Sequence, residues 1–323
     1  MTFSGLKGFT SVNDSTLNND IQDGVVEFFD WALLEKGNYY NVDLDETAPN
    51  GRDYSQLRLV NNNHYSSGRL WEGFRGNWVW QSGVSYSPAP IVGSDHTNPG
   101  LSGVYVDGAF KPVTSTGTYA HSIDYFKGQV IFDSPLPTGS VVQAEFSYKR
   151  INVVYASSLP WLVELQRDTN QPDGTFLSQD KGRWNIPKKA RLQLPAIAIE
   201  VVPNRTFKGY QLGGGQWVYT DILFHCIAED EFTRNQLVDI VSLQNDKTIN
   251  LFNSNEIHAS GAFPLDVLGT PMSGALRHPD LVATYPGGGL RLTKFKVQEM
   301  QAFKNNMFGG VVRATTEGIK TNI

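Results

Sequence analysis

Apolar and polar positions alternate most regularly between Asp124 and Arg150. Val142, Ala144, Phe146 and Tyr148 alternate with Gln143, Glu145, Ser147 and Lys149. That is the period of a strand with one buried and one wet face. Upstream, Ser122–Phe126 and Gln129–Phe132 flank Lys127-Gly128, where a glycine supplies the positive φ of a tight hairpin. Asp133–Ser140 holds two prolines and Gly139, which suit a connector and cannot donate to a ladder. The expected unit is a three-stranded antiparallel meander. Its Asp124, Asp133 and Glu145 are expected at turns or toward solvent.

Two stretches carry helical spacing. In Asn19–Lys36 the residues Ile21, Val25, Phe28, Phe29, Ala32 and Leu33 recur at threes and fours, and Gly37 can end the helix. In Ala228–Gln244 the shared face is Phe232, Gln236, Leu237, Ile240, Val241 and Gln244. Glu229, Asp230 and Glu231 stand at its start, where the helix dipole favours anions.

From Tyr54 to Ser158 the pattern is strand and turn throughout, with Asp107-Gly108 a further hairpin tip. Residues 159–190 are broken by Pro160, Pro172, Gly174, Gly182 and Pro187 and read as a linker. Beyond Arg191 come LQLPAIAIEVV, then Asp221–Ala228, which is apolar on both faces and so expected to be central. Lys247–Phe252 returns to strand after the helix. A long Pro- and Gly-rich loop carrying Phe263, Leu265, Val267 and Leu268 follows, then closing strands at Leu292–Ala302 and Val311–Glu317. The expected fold class is α+β: an N-terminal arm and helix (1–53), an all-β sandwich or small barrel (54–158), a linker (159–190), and a mostly antiparallel sheet with a packed helix (191–323).

With 323 residues, 40% hydrophobic and 18% charged, the chain is globular and long enough for more than one core. A net charge of −5 argues against tight wrapping of nucleic acid. One cysteine, Cys226, excludes an intrachain disulfide and suits a reducing cytosol. The first residues show no apolar signal region, and no stretch is long enough to span a bilayer.

Catalytic motifs are missing from the pattern. Gly213–Gly215 and Gly287–Gly289 lack the spacing of a phosphate loop and read as plain loops. His225 and Cys226 are adjacent on a strand and point to opposite faces. The six histidines (His64, His96, His121, His225, His258 and His278) show no ligand spacing, and Asp43, Asp45 and Glu46 lack the rest of a calcium loop. Asp95-His96 has no nucleophile beside it in sequence. No catalytic, cofactor-binding or metal residue is therefore assigned. Trp71, Phe74, Trp78 and Trp80 are the most ligand-like group; packing in a core or interface is the simpler expectation, and stacking on a sugar the other.

Four blocks together resemble virion structural proteins of tailed bacteriophages, and among these the neck and tail-completion proteins. They are DGVVEFFDWALLEKGNYYNV, YVDGAF, DYFKGQVIFDSPLPTGSVVQAEFSYKR and FHCIAEDEFTRNQLVDIVSLQNDKTINLF. The last is similar to the strand–helix–strand core of tail-terminator folds. The resemblance is one of pattern over half the chain. It implies a homo-oligomeric ring, usually a hexamer, between head and tail. It also implies contacts with other neck and tail proteins, and a lumen through which DNA passes without sequence-specific binding. Such a protein is assembled in the host cytoplasm, ends in the virion, and needs no cofactor. Two other classes stand beside it: a carbohydrate-binding β-sandwich of a baseplate or receptor-binding protein, and an enzyme assembled from distant loops.

Overall fold

The computed structural model describes residues 17–44, 53–61, 63–81, 83–84, 101–156, 193–209, 215–262, 264–265, 271, 274–303 and 307–320. The fold is α+β, strand-rich with few helices, and contains a sheet curled into half of a barrel.

Helix α1 spans Leu17–Leu34, two residues ahead of the periodicity at its start, and Gly37 at φ 82° turns the chain after it. It feeds β1 (Tyr39–Val42). Eight short strands follow: β2 (Arg58–Leu59), β3 (Leu70–Glu72), β4 (Gly103–Val106), β5 (Ala109–Pro112), β6 (His121–Asp124), β7 (Gln129–Phe132), β8 (Val142–Gln143) and β9 (Phe146–Lys149). They form three small sheets, β2-β3-β7-β6, β5-β4-β8 and β1-β9. All three contribute to one core that includes Trp71, Trp78, Val104, Val130, Phe132 and Phe146. These strands are called the β half below.

Both hairpin tips form where the turn residues place them. Asp107 and Gly108 have φ of 51° and 77° between β4 and β5, and Gly128 has φ 66° between β6 and β7. A Cβ on Gly128 would lie 2.4 Å from the Arg75 carbonyl oxygen, so glycine is required there for space as well as for φ. The meander does not continue to a third strand. After the proline connector, β8 joins β4 and β9 joins β1. The two prolines and Gly139 carry the chain away from β7, and the alternating segment is split between two sheets. Alternation holds from Val142 to Phe146 and then fails, because Ser147 and Lys149 are buried too. Asp133 is exposed, as expected, and Glu145 half-buried. Asp124 is the last residue of β6, beside the turn, and is buried, accepting from Lys127 N at 3.0 Å and pairing with its ammonium.

The second half is a six-stranded sheet in the order β10-β11-β12-β15-β14-β13. Its strands are β10 (Asn152–Tyr155), β11 (Ala196–Gly209), β12 (Gln216–Ala228), β13 (Thr248–Phe252), β14 (Pro286–Phe303) and β15 (Met307–Lys320). Only β10–β11 is parallel. The strand expected to be central, β12, lies third. Helix α2 (Glu231–Ser242) follows β12, and two short helices, α3 (Ser254–Ser260) and α4 (His278–Thr284), occupy ground read in the sequence as loop.

Two helices cover one sheet face. Ile21, Val25, Phe29 and Leu33 of α1 and Leu237, Val238 and Val241 of α2 share a core with Ile197, Ile199, Ile222, Phe224 and Val312. The N-terminal helix and β10 therefore belong to this core. The expected face of α2 is rotated: Arg234, Leu237, Val238 and Val241 are buried, while Phe232 stands out. Arg234 can be buried because Glu231 holds its guanidinium at 2.9 Å and its charge lies 5.9 Å from the Phe308 ring. The opposite sheet face is mixed, with Ala196, Ala198 and Ile227 buried on it beside polar groups. It carries Asp221, Leu223 and His225, with Asp221 accepting from Thr315 Oγ1 at 2.9 Å and pairing with Arg313.

Gly287–Gly289 is strand and not loop. A Cβ on Gly287 would come within 2.6 Å of the Phe252 backbone, so glycine lets β13 approach β14. From the long loop, Leu265 and Ala275 pack against the core of the β half; Phe263, Val267 and Leu268 lie outside the described residues.

Candidate functional site

The tryptophans are core. Trp78 is 1% exposed, stacks on Phe146 at 4.3 Å, and donates Nε1–H to the Arg75 carbonyl at 2.8 Å. Trp80 is buried, and Trp71 is buried with Nε1–H on the Gly68 carbonyl at 3.0 Å. Phe74 stacks on Tyr54 at 4.5 Å. An indole with both faces packed has no surface left for a sugar ring. Trp71 borders a cavity of about 440 Å³, which Asp53, Gln56, Arg58 and Ser140 also line.

His225 and Cys226 diverge as strand neighbours must. His225 Nε2 lies 3.1 Å from Glu200 Oε2 on the face away from the helices. Cys226 faces the helices, where burial pushes its thiol up to about 12 and holds it protonated. His278 sits between Phe28 and Phe252, and burial pulls it down to about 4, so it is neutral. His121 Nδ1 lies 2.8 Å from the Tyr119 carbonyl, and burial lowers its pKa as well. Among the described residues no three of His, Cys, Asp and Glu are placed to hold a metal. Asp45, Glu46, Asp95 and His96 lie outside them.

The most organised polar region joins the two halves. Asn38 accepts Ile151 N–H at 2.7 Å and donates to the Ile151 carbonyl at 2.8 Å. Asn152 donates to the Gln193 carbonyl at 2.6 Å and bonds Asn77. Buried Asp30 of α1 accepts from Lys149 Nζ at 2.6 Å and Gln81 Nε2 at 2.9 Å. Sequence reading set Lys149 on a wet face; its partner lies on another element 119 residues away.

One turn up the helix, Glu27 has Asp23 and Asp30 on its own helix and Lys149 of β9 as charged neighbours. Burial pushes its carboxyl up to about 8, Asp30 adds to the push, and Lys149 opposes it. Tyr155 of β10 is raised well above its ordinary value, by burial and then by Glu27 and Asp23. Burial raises the pKa of Asp23, while hydrogen bonds with Ser254 and Tyr155 and the nearby His258 of α3 oppose the rise. A carboxyl raised in the folded state holds its proton more tightly there than in the unfolded chain. Stability contributed by Glu27 is therefore greatest at low pH and falls as pH rises from about 4.5 through 8. Glu27→Gln should remove this slope. The variant is expected to melt above the parent near pH 9 and level with it near pH 4.5. An equal difference at both pH values in thermal melts would show that Glu27 ionises without cost.

The geometry fastens one half to the other. No family model and no curated protein matches this chain. No described helix is long and apolar enough to cross a membrane.

Proposed function

We propose that the chain is a structural, non-enzymatic protein of a tailed-phage virion, a ring-forming neck or tail-terminator subunit that joins head and tail around the DNA channel. The six-stranded sheet is the observation that carries this reading. Its longest strand runs 18 residues, against a mean of about 5–6 in globular proteins. Two helices stiffen one face. The block Phe224–Phe252, which resembles the tail-terminator core, supplies the end of β12, all of α2 and β13. A long sheet backed by helices suits a ring wall, and a chain of net charge −5 suits a wall past which DNA slides. Native mass measurement with negative-stain imaging should give a particle at a fixed multiple of the 35.9 kDa chain, hexamer expected, with a central hole. A monomer at every concentration tested would overturn the reading.

Carbohydrate binding by the β half is the second reading. The buried tryptophans no longer support it; the cavity bounded by Trp71, Asp53, Gln56 and Arg58 does, since planar polar groups beside an aromatic suit a saccharide. Absence of saturable binding on a glycan array would dismiss it.

A further inference from the structure

We infer that the two ends of the six-stranded sheet form one head-to-tail contact between copies of this chain; the inference rests on the ring reading above and names the surfaces that would build the ring. Strand β12 runs 13 residues, so its ends lie about 40 Å apart at 3.3 Å per residue.

The end where β12 hands over to α2 is acidic and carries an exposed aromatic. Glu229, Asp230 and Glu231 are all exposed there. Phe232, next in line, is 76% exposed although α2 has a buried face it could have joined. Buried Arg234 pairs with Glu231 and Arg150 acts on Asp230, so Glu229 is the carboxylate of this end with the least local compensation.

The other end, where β11 finishes and β12 begins, carries the opposite sign. Lys208 is exposed, its Nζ 5.0 Å from the Tyr219 ring, with Trp217 opposite it in register. Phe207 beside it is 49% exposed. Each end thus presents a phenylalanine to water, one among carboxylates and one beside an ammonium. The span of β12 keeps them from meeting within one subunit. A symmetric contact would set acid against acid, or lysine against lysine, and like charges facing each other are disfavoured. The complementary arrangement is acidic end to basic end. That contact is heterologous, and repeated with a closing rotation it makes a ring. The occupant of each end is therefore a second copy of this chain.

Charge exchange tests this. Glu229→Lys and Lys208→Glu each alter an exposed side chain that supports no fold contact described above except the Lys208–Tyr219 approach. In sedimentation velocity at micromolar concentration, each variant alone should associate at least tenfold more weakly than the parent. A one-to-one mixture should regain the assembled species, because each broken end then meets its mirror charge on the other variant. Phe232→Ser should weaken assembly with an unchanged circular dichroism spectrum, showing that the loss is not one of folding. An assembled parent whose variants all assemble equally well would overturn this contact and leave the ring reading standing. A parent that is monomeric throughout would overturn both. Restored assembly in the mixture, with loss in each variant alone, supports the contact.

Discussion

Phe146→Ala is expected to cost about 3–5 kcal/mol, the range for deleting a large aromatic from a site that cannot collapse. Phe146 is fully buried, and its ring stacks on Trp78 at 4.3 Å and lies 6.2 Å from Phe74. The strand that carries it also pairs Val42 opposite Phe146, so the cavity would open where β1 and β9 meet. Glu145, one residue earlier, points the other way. It is half-buried and touches the Tyr105 hydroxyl only at 3.5 Å. Glu145→Ala should stay within about 0.5 kcal/mol. Denaturant melts of the two variants measure the difference, and equal losses would place the strand in the wrong register.

Lys149→Met should cost about as much, for an electrostatic reason. Asp30 and Lys149 are both buried, 2.6 Å apart, with Gln81 as the other bonded neighbour of the carboxylate. Removing the lysine leaves a buried carboxylate without its counter-ion, a loss of about 3–5 kcal/mol. Replacing both partners with apolar residues of similar volume should restore most of it, because the desolvation of both charges vanishes together. Chemical denaturation of Lys149→Met and of Lys149→Met/Asp30→Leu decides the matter. If the double variant is no more stable than the single, the pair is held by something other than its mutual charge.

What the sequence made legible was local. The Lys127-Gly128 and Asp107-Gly108 tips form because the turn residues dictate the bend regardless of the rest of the chain. Helix α1 and the central position of β12 follow from periodicity and from apolar length. What stayed hidden depends on partners far along the chain. The period of two makes a strand of Val142–Lys149, yet cannot say that its first part pairs with β4 and its last with β1. Lys149 and Arg234 look like surface residues until the carboxylates that neutralise them are in view. The glycines of Gly287–Gly289 signal a loop in isolation and prove to lie in a strand, where Gly287 is a spacer because Phe252 passes too close for a side chain and Gly288 takes φ 100°. For the candidate site, the tryptophan cluster was visible as a group. Its burial became clear only once Phe146 was seen stacked on Trp78.

The placement of α1 also sets the order in which this protein can be made. The helix leaves the ribosome ahead of every strand it rests on, from β10 and β11 to β13. Asp20 accepts the backbone N–H of Ser254, 234 residues further on, and β1 must wait for β9, with Tyr39 opposite Lys149. At a synthesis rate of roughly 5–20 residues per second, the helix emerges roughly 10–50 s before its last contact exists. An 18-residue helix alone in water is marginal, and the core that covers Ile21, Val25 and Phe29 is completed only by strands far along the chain. Contacts this distant in sequence slow folding, and the sheet that α1 covers stays incomplete until the hairpin of β14 and β15 has been made.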